Sequence, residues 1–357
     1  MTTTSVEPRP IPDTLAAALS PEWLTAALRT RYPDISIIAV TPGPRVSRVS
    51  TNARFTIHGD LPDGLNPNLC VKGYFIDLGQ GEAAAAGVSE ALFYRDLAGR
   101  TGIRTLPHVY VDVDLDRRIA VLITEDVAAR GDVFLDALSH YSVDQLKMSL
   151  EIYAQLHSAT WMHPEVADTA WLTPSLRHLR AGRGIPEITY NFDGPIGAGV
   201  PDRIRDPQLL FDSYGVVAAE AVETAPWSVI QGDAHVGNVF VDAEGRPQLV
   251  DWQTVQRGPW YIDVGYHIAS AIPIEQRREH ERALVRHYLE RLAAHGVPDV
   301  PGEDEAWRGV RRGMVHGFYL WGITQKVHPS ITTELLTRIG TAVDDHEVFQ
   351  ELIGRPR

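Results

Sequence analysis

The sequence predicts an α+β protein in two lobes, and three observations carry that expectation. The first third is a series of β-rich runs split by Pro, Gly and Asn clusters around one conspicuous helix pattern. The remaining two thirds show helical periodicity and carry one small hairpin. At 357 residues the chain is also too long for one small core. Strands and helices are segregated rather than alternating as βα units. The expected division is an N-terminal lobe over 1–125, its residues 1–13 a loose polar tail, and a C-terminal lobe over 126–357.

Each element has a local reason. Ser20-Pro21-Glu22-Trp23 reads as an N-cap followed by Pro at the first helical position, with helix to about Arg31. Residues 35–40, 54–59 and 69–75 are strands, and 81–100, rich in Ala, Glu and Leu, is a helix. Residues 108–126 form a hairpin turning near Asp114–Asp116. The helix over 142–161 starts at a Ser142 N-cap and aligns Leu146, Leu150, Tyr153 and His157 on one apolar face. A Pro/Gly-rich stretch, 174–201, reads as irregular, and helix resumes over 206–224. The small hairpin pairs 239–242 with 248–252 across a turn at 243–245. From Glu275 onward the chain is mainly helical, with loops at 297–301 and 328–329.

Composition narrows the function. Net charge is −13, which sets nucleic acid aside as the main partner. No apolar run approaches the roughly 20 residues that span a bilayer, and the N-terminus lacks the charged start and apolar stretch of a signal peptide. Cys70 is the single cysteine, so neither an internal disulfide nor a Cys-cluster zinc site is possible. These features suit a cytoplasmic protein, monomer or homodimer, with no membrane partner.

The chemistry is concentrated in "VIQGDAHVGNVF", residues 229–240. Asp233 and Asn238 are five positions apart, and Asp251 lies thirteen further on, where the hairpin returns beside Asn238. One loop thus offers a carboxylate base, an amide oxygen and a second carboxylate. Phosphoryl transfer from a nucleotide needs this set: oxygen ligands for Mg²⁺ and a separate carboxylate for the attacking hydroxyl.

The run "QGDAHVGNVFVD…GRPQLVDWQ", with "GPWYIDVGYHIA" after it, resembles the aminoglycoside phosphotransferases and their relatives, the choline kinases and the ecdysteroid-kinase-like (CHK) group. "DWQ" leans toward the last branch. The resemblance spans about 35–270 and implies a bilobal protein-kinase-like fold, ATP (or GTP) as donor, Mg²⁺ as cofactor and a small-molecule alcohol as acceptor. It implies Asp233 as catalytic base, Asn238 and Asp251 as metal ligands, and Asp263 as a brace for the loop. Lys72 would meet the α- and β-phosphates and pair with Glu90. Ser50 and Thr51 would lie in the phosphate-covering turn, within 45–55. The backbone of Glu125 and Val127, in "LITEDV", would hold the adenine. Gln231 departs from the pattern, since the family usually has His there; a glutamine can still brace the loop by donating and accepting.

Two other readings stay open on the residues alone. One is a metal-dependent hydrolase with Asp233, His235 and Asp251 as ligands, which leaves Lys72 and Glu90 without a role. The other is a nucleotide-binding pseudokinase, motivated by Gln231 and the absence of a Gly-rich phosphate loop. His235 reads as a loop-packing or phosphate-side residue and His157 as a core histidine. Trp307, Phe318, Tyr319 and Trp321 read as acceptor-pocket wall or helix core. The carboxylates Glu303–Glu305, Asp344, Asp345 and Glu347 are interspersed with arginines, and 313–323 is apolar and aromatic, which favours a neutral or hydrophobic alcohol over a polycation.

Overall fold

The computed structural model describes residues 10–47, 50–81 and 85–354, and these form two compact units. The first takes the residues up to Arg100 together with Thr105–Asp132; the second takes Thr101–Arg104 and Val133–Arg357. The α+β class is as the sequence predicts: strand-rich first unit, helix-rich second. Among the described residues no helix is long and apolar enough to cross a membrane.

After a single helical turn at Leu15–Ala18, the first unit continues with helix α1 (Pro21–Leu28), capped by Ser20 Oγ accepting from Trp23 N–H at 3.3 Å. An antiparallel sheet follows: β1 (Ser36–Ser47), β2 (Thr51–Asp60), β3 (Asn68–Gly73), β4 (His108–Asp114) and β5 (Ile119–Glu125), in spatial order β1-β2-β3-β5-β4. Strand β1 continues well past the expected end near residue 40, through Pro42 and Pro44. It is an edge strand with two register shifts, so each proline's missing N–H leaves no central ladder broken. One face of the sheet buries Phe55, Ile57, Leu69, Val71 and Ile123 against Trp23, Leu24 and Leu28 of α1. The expected loose tail is corrected in part. Residues 1–9 lie outside the described residues, but Ile11 is buried in this core and the Asp13 carbonyl accepts from Ile76 N–H at 2.8 Å. Helix α2 (Ala86–Leu92) continues as a π-helical run over Phe93–Ala98, with residues 82–84 of the expected 81–100 helix outside the described set.

In the second unit, β6 (Val133–Phe134) precedes helix α3 (Val143–Thr160), which begins in a full capping box of Ser142 and Gln145. Within the stretch read as irregular, residues Ile185–Asp193 form helix α4. Its Pro186 stands in the first turn, where a proline starts a helix instead of breaking it. Helix α5 (Pro207–Glu223) leads into β7 (Ser228–Ile230), β8 (Val239–Val241), β9 (Pro247–Leu249) and β10 (Gln256–Gly258). Strand β7 pairs with β10, and β8 pairs with β6 and β9. The return strand therefore ends at Leu249, short of Asp251. Helices α6 (Tyr261–Ala271), α7 (Ile274–Ala294), α8 (Glu303–Gly322), α9 (Pro329–Asp345) and α10 (Val348–Ile353) complete the unit. Helices α6 and α8 cross at glycines: a Cβ on Gly265 would come within 2.0 Å of Val310 O, and one on Gly313 within 2.2 Å of Tyr261 O. That contact brings His316 and Trp321 of α8 to the loop after β7.

Candidate active site

The loop from Gln231 to Asn238 is held by side chains from helices α3, α6 and α8. Asp263, fully buried on α6, accepts from Gln231 N–H (2.7 Å) through Oδ2 and from Gly232 N–H (2.8 Å) through Oδ1. His157 of α3 faces Asp263 Oδ2 at 3.3 Å and is itself held by the Tyr288 hydroxyl at 2.7 Å. His316 donates Nε2–H to Gly232 O at 2.8 Å. His267 donates Nδ1–H to Ala234 O at 2.9 Å and accepts from the Ser149 hydroxyl at 2.6 Å. Burial pushes the His267 pKa down to about 4, so its ring is a neutral donor, and lowers that of His316.

Gln231 is fully buried, and its bonds explain how it serves in the usual histidine position. Its N–H and C=O anchor to Asp263 and Thr254, while Oε1 accepts from the Tyr153 hydroxyl. Nε2 donates to Val250 O at 2.6 Å and to Asp251 O at 3.3 Å. One amide side chain thus ties the loop to the backbone that carries Asp251.

The Asp233 carboxylate sits at the open end of this frame. Oδ1 accepts from the Tyr266 hydroxyl at 3.2 Å. Oδ2 faces His235 Nε2 at 3.7 Å, an electrostatic contact longer than a hydrogen bond. His235 Nδ1 accepts from Gly237 N–H at 3.0 Å, so the proton of the neutral ring is on Nε2, toward Asp233. Enclosure works to raise the Asp233 pKa; His235 first, then His316 and the Tyr266 hydroxyl, outweigh it and hold the carboxyl below its ordinary value.

Asn238 and Asp251 are brought together as the hairpin predicts. Val250 N–H donates to Asn238 O at 2.9 Å, and Val239 pairs with Leu249. Asn238 Nδ2 donates to Asp233 O at 2.8 Å, which leaves Oδ1 as the atom for a cation. Asp251 lies in the left-handed region, φ 64°, two residues after the strand. An amide oxygen and a carboxylate on adjacent backbone fit a hard divalent cation that takes its other ligands from phosphate and water. Among the described residues no group of three or more His, Cys, Asp and Glu is placed to hold a metal.

In the first unit, Lys72 on β3 meets Glu90 on α2, Nζ to Oε2 at 2.6 Å, both side chains largely buried. Ser50 precedes β2 and Thr51 opens it, both buried; the Thr51 hydroxyl is directed inward, donating to Gln80 Oε1 at 2.9 Å. Arg48 and Val49, in the same turn, lie outside the described residues. Glu125 N–H donates to Pro107 O at 2.9 Å. A proline has no N–H to return, so the Glu125 carbonyl lacks the second bond of an antiparallel pair. Val127 opens a short 3₁₀ turn and is buried.

Residues 138–304 match the model of the phosphotransferase enzyme family, APH. The matched stretch contains Asp233, Asn238, Asp251 and Asp263. An uncharacterized kinase-like protein of Caenorhabditis elegans is 24% identical over 224 residues, 58% of this chain and 56% of that protein. The match thus spans little more than half of the relative's length. Among solved structures, a choline kinase from Cryptosporidium parvum superposes with a TM-score of 0.55 at 10% identity, covering 93% of this chain and 97% of that one. A Plasmodium vivax ethanolamine kinase gives 0.50 at 9% identity, covering 93% and 89%. At these identities the two structures speak to the fold alone.

The sequence reading missed His316, Tyr266, Tyr153 and Thr254. Their signals are faint. His316 is a lone histidine in "GMVHGFYLWG", flanked by the glycines that let two helices touch. Tyr266 stands one helical turn after Asp263. The four aromatics left ambiguous divide: Trp307 packs on His346, whereas Trp321 meets His235 edge-on at 5.1 Å.

Proposed function

We propose that the chain is a small-molecule phosphotransferase that moves the γ-phosphoryl group of ATP, with Mg²⁺, to a hydroxyl of a small alcohol. The carrying observation is the loop in which Asp233, Asn238 and Asp251 share one hydrogen-bonded backbone frame. In this reading Asp233 orients the acceptor hydroxyl and takes its proton as the oxygen bonds to the γ-phosphorus and the bond to ADP breaks. Its depressed pKa keeps the carboxylate ionised and able to accept a hydrogen bond from that hydroxyl. Tyr266 and His235 hold the two carboxylate oxygens apart from each other's partners, so the base has one orientation. Asn238 Oδ1 and Asp251 would hold Mg²⁺, which supplies charge neutralisation on the phosphates. Lys72, kept in place by Glu90, would contact the α- and β-phosphates. The Ser50–Thr51 backbone would cover the phosphates. The Glu125 carbonyl and Val127 N–H, two residues apart, offer the acceptor and donor that an adenine edge requires.

The acceptor is proposed to be an alcohol with an apolar or aromatic body. The carboxylates that would attract a polycation are engaged elsewhere: Asp344 and Asp345 pair with Arg203, Arg277 and Arg278, and Glu303 faces Arg286. Near Asp233 the side chains are Tyr266, His235 and Trp321.

The test is ADP release from Mg-ATP over a panel of sugars, amino alcohols, hydroxy acids and terpenoid alcohols, with GTP as second donor. Asp233→Ala should lower kcat by roughly 10²–10⁴-fold while nucleotide binding persists. Lys72→Ala should abolish turnover. Turnover indifferent to both substitutions would reject the assignment.

A further inference from the structure

The second unit carries an arginine held without a carboxylate. Arg180 closes the turn Leu176–Arg180, and its guanidinium lies 3.9 Å over the Phe211 ring of α5. Two glycines make room for this stack. A Cβ on Gly215 would come within 2.7 Å of Arg180 Nη1, and one on Gly184 within 2.6 Å of the Phe211 ring. Arg180 Nε is sealed from solvent with no hydrogen-bond partner. Arg177 and Arg183 flank it, and among the described residues none of the three forms an ion pair, in a chain of net charge −13. The other arginines stacked on rings among the described residues, Arg31, Arg257 and Arg282, also form no ion pair, but none of them has an Nε sealed from solvent without a hydrogen-bond partner. The nearest acidic residue along the following helix, Glu187, accepts from Gly184 N–H at 2.8 Å. Holding a guanidinium partly out of water without a counter-charge is unfavourable, so a stack built around one marks a place for an anion.

This place is joined to the catalytic loop. The Tyr319 hydroxyl of α8 donates to Arg183 O at 2.9 Å and fastens the arginine segment to that helix. Phe211 lies against Tyr319, Tyr319 stacks on Tyr214 at 3.9 Å, and Tyr214 lies against His316, which bonds Gly232 O next to Asp233. His316 and Tyr319 are one turn apart on α8, about 5 Å along its axis.

We propose that Arg180 recognises an anionic group, carboxylate or phosphate, carried by the acceptor alcohol. The acceptor is then an acidic hydroxy compound with its anion at least one helical turn from the hydroxyl that Asp233 addresses. This rests on the phosphotransferase reading above.

The experiment uses matched pairs: 4-(hydroxymethyl)benzoate against its methyl ester, 6-hydroxyhexanoate against hexane-1,6-diol, and glycerol 3-phosphate against glycerol. ADP release is followed for the full chain, Arg180→Met and Arg180→Lys, with thermal unfolding as a check on folding. A charge-assisted contact implies a KM about ten- to a hundredfold lower for the anionic member. Arg180→Met should erase that difference at unchanged kcat and leave the neutral member unaffected; Arg180→Lys should restore part of it. The carboxylate and phosphate pairs separate the two anion types. Equal KM within every pair, or an unchanged anionic KM in Arg180→Met, overturns the inference while the phosphotransferase reading stands. Where no acceptor gives turnover above Asp233→Ala, that reading fails instead. Calorimetric binding of 4-(hydroxymethyl)benzoate and glycerol 3-phosphate then decides Arg180 by itself. Binding of neither probe to the wild type, or equal binding to Arg180→Met, overturns it.

Discussion

The Tyr266 hydroxyl donates to Asp233 Oδ1 at 3.2 Å across 33 positions of sequence, and Asp233 in turn keeps that hydroxyl protonated. Burial, then the Asp233 charge, raises the Tyr266 pKa far above its ordinary value. Tyr266→Phe removes one donor and keeps the ring. A loss of about 1 kcal/mol of positioning predicts a fall in kcat of roughly five- to tenfold. Acceptor and nucleotide KM values should stay within about twofold if the hydroxyl acts only on Asp233. A raised nucleotide KM at unchanged kcat would contradict this role.

Gln231 joins Tyr153 to the backbone of Val250 and Asp251. Gln231→Ala orphans a buried hydroxyl and a buried carbonyl, at roughly 1–3 kcal/mol each. Urea unfolding should show that loss. Gln231→His, the residue the family usually carries, should unfold closer to the wild type and keep more activity than the alanine variant. An alanine variant as stable as the wild type would remove Gln231 from the loop's support.

At the crossing of α6 and α8 there is no space for a methyl group. Gly313→Ala places a carbon against the Tyr261 and Ile262 carbonyls and should destabilise by roughly 1–3 kcal/mol or more. It should also lower kcat, because the shift reaches His316 and Trp321. Gly99→Ala, where an added Cβ meets nothing within 4 Å at ordinary helical backbone, is the contrast and should be neutral or stabilising by up to about 1 kcal/mol. Calorimetric Tm values separate the two.

His267 gives the stability a pH dependence of definite sign. Its folded pKa of about 4 lies below the ordinary 6.5, so the unfolded chain binds the proton first as pH falls. The contribution is complete above about pH 6.5, declines between 6.5 and about 4, and amounts to about 3 kcal/mol. His267→Gln should flatten the unfolding free energy over that interval relative to the wild type. An identical pH profile for the two proteins would show that the wild-type dependence comes from other groups.

The α+β class, the order of strands and helices and the loop with its hairpin were legible in the sequence. They rest on local rules: strand periodicity, the Ser20 and Ser142 caps, and a short turn that must return Asp251 to Asn238. Where the local rules point both ways the reading faltered. Prolines in β1 and at the start of α4 looked like breaks, yet an edge strand and a first helical turn both tolerate them. Ile11 looked like part of a tail because nothing near it in sequence shows the core it enters.

The sequence by itself determined which chemistry is possible, since it sets an Asp, an Asn and a second Asp at spacings that one loop and one hairpin can bring together. Only the tertiary structure decided how that loop is held. Asp263, His267 and His316 reach it from helices 20 or more residues away, through bonds to backbone groups that any residue would supply. Such bonds leave no trace in local pattern, because the partner atom is a carbonyl or an amide and the distance is set by two glycines at a helix crossing. The same holds for Arg180, whose meaning lies in the carboxylate it lacks and the aromatic column it stands on.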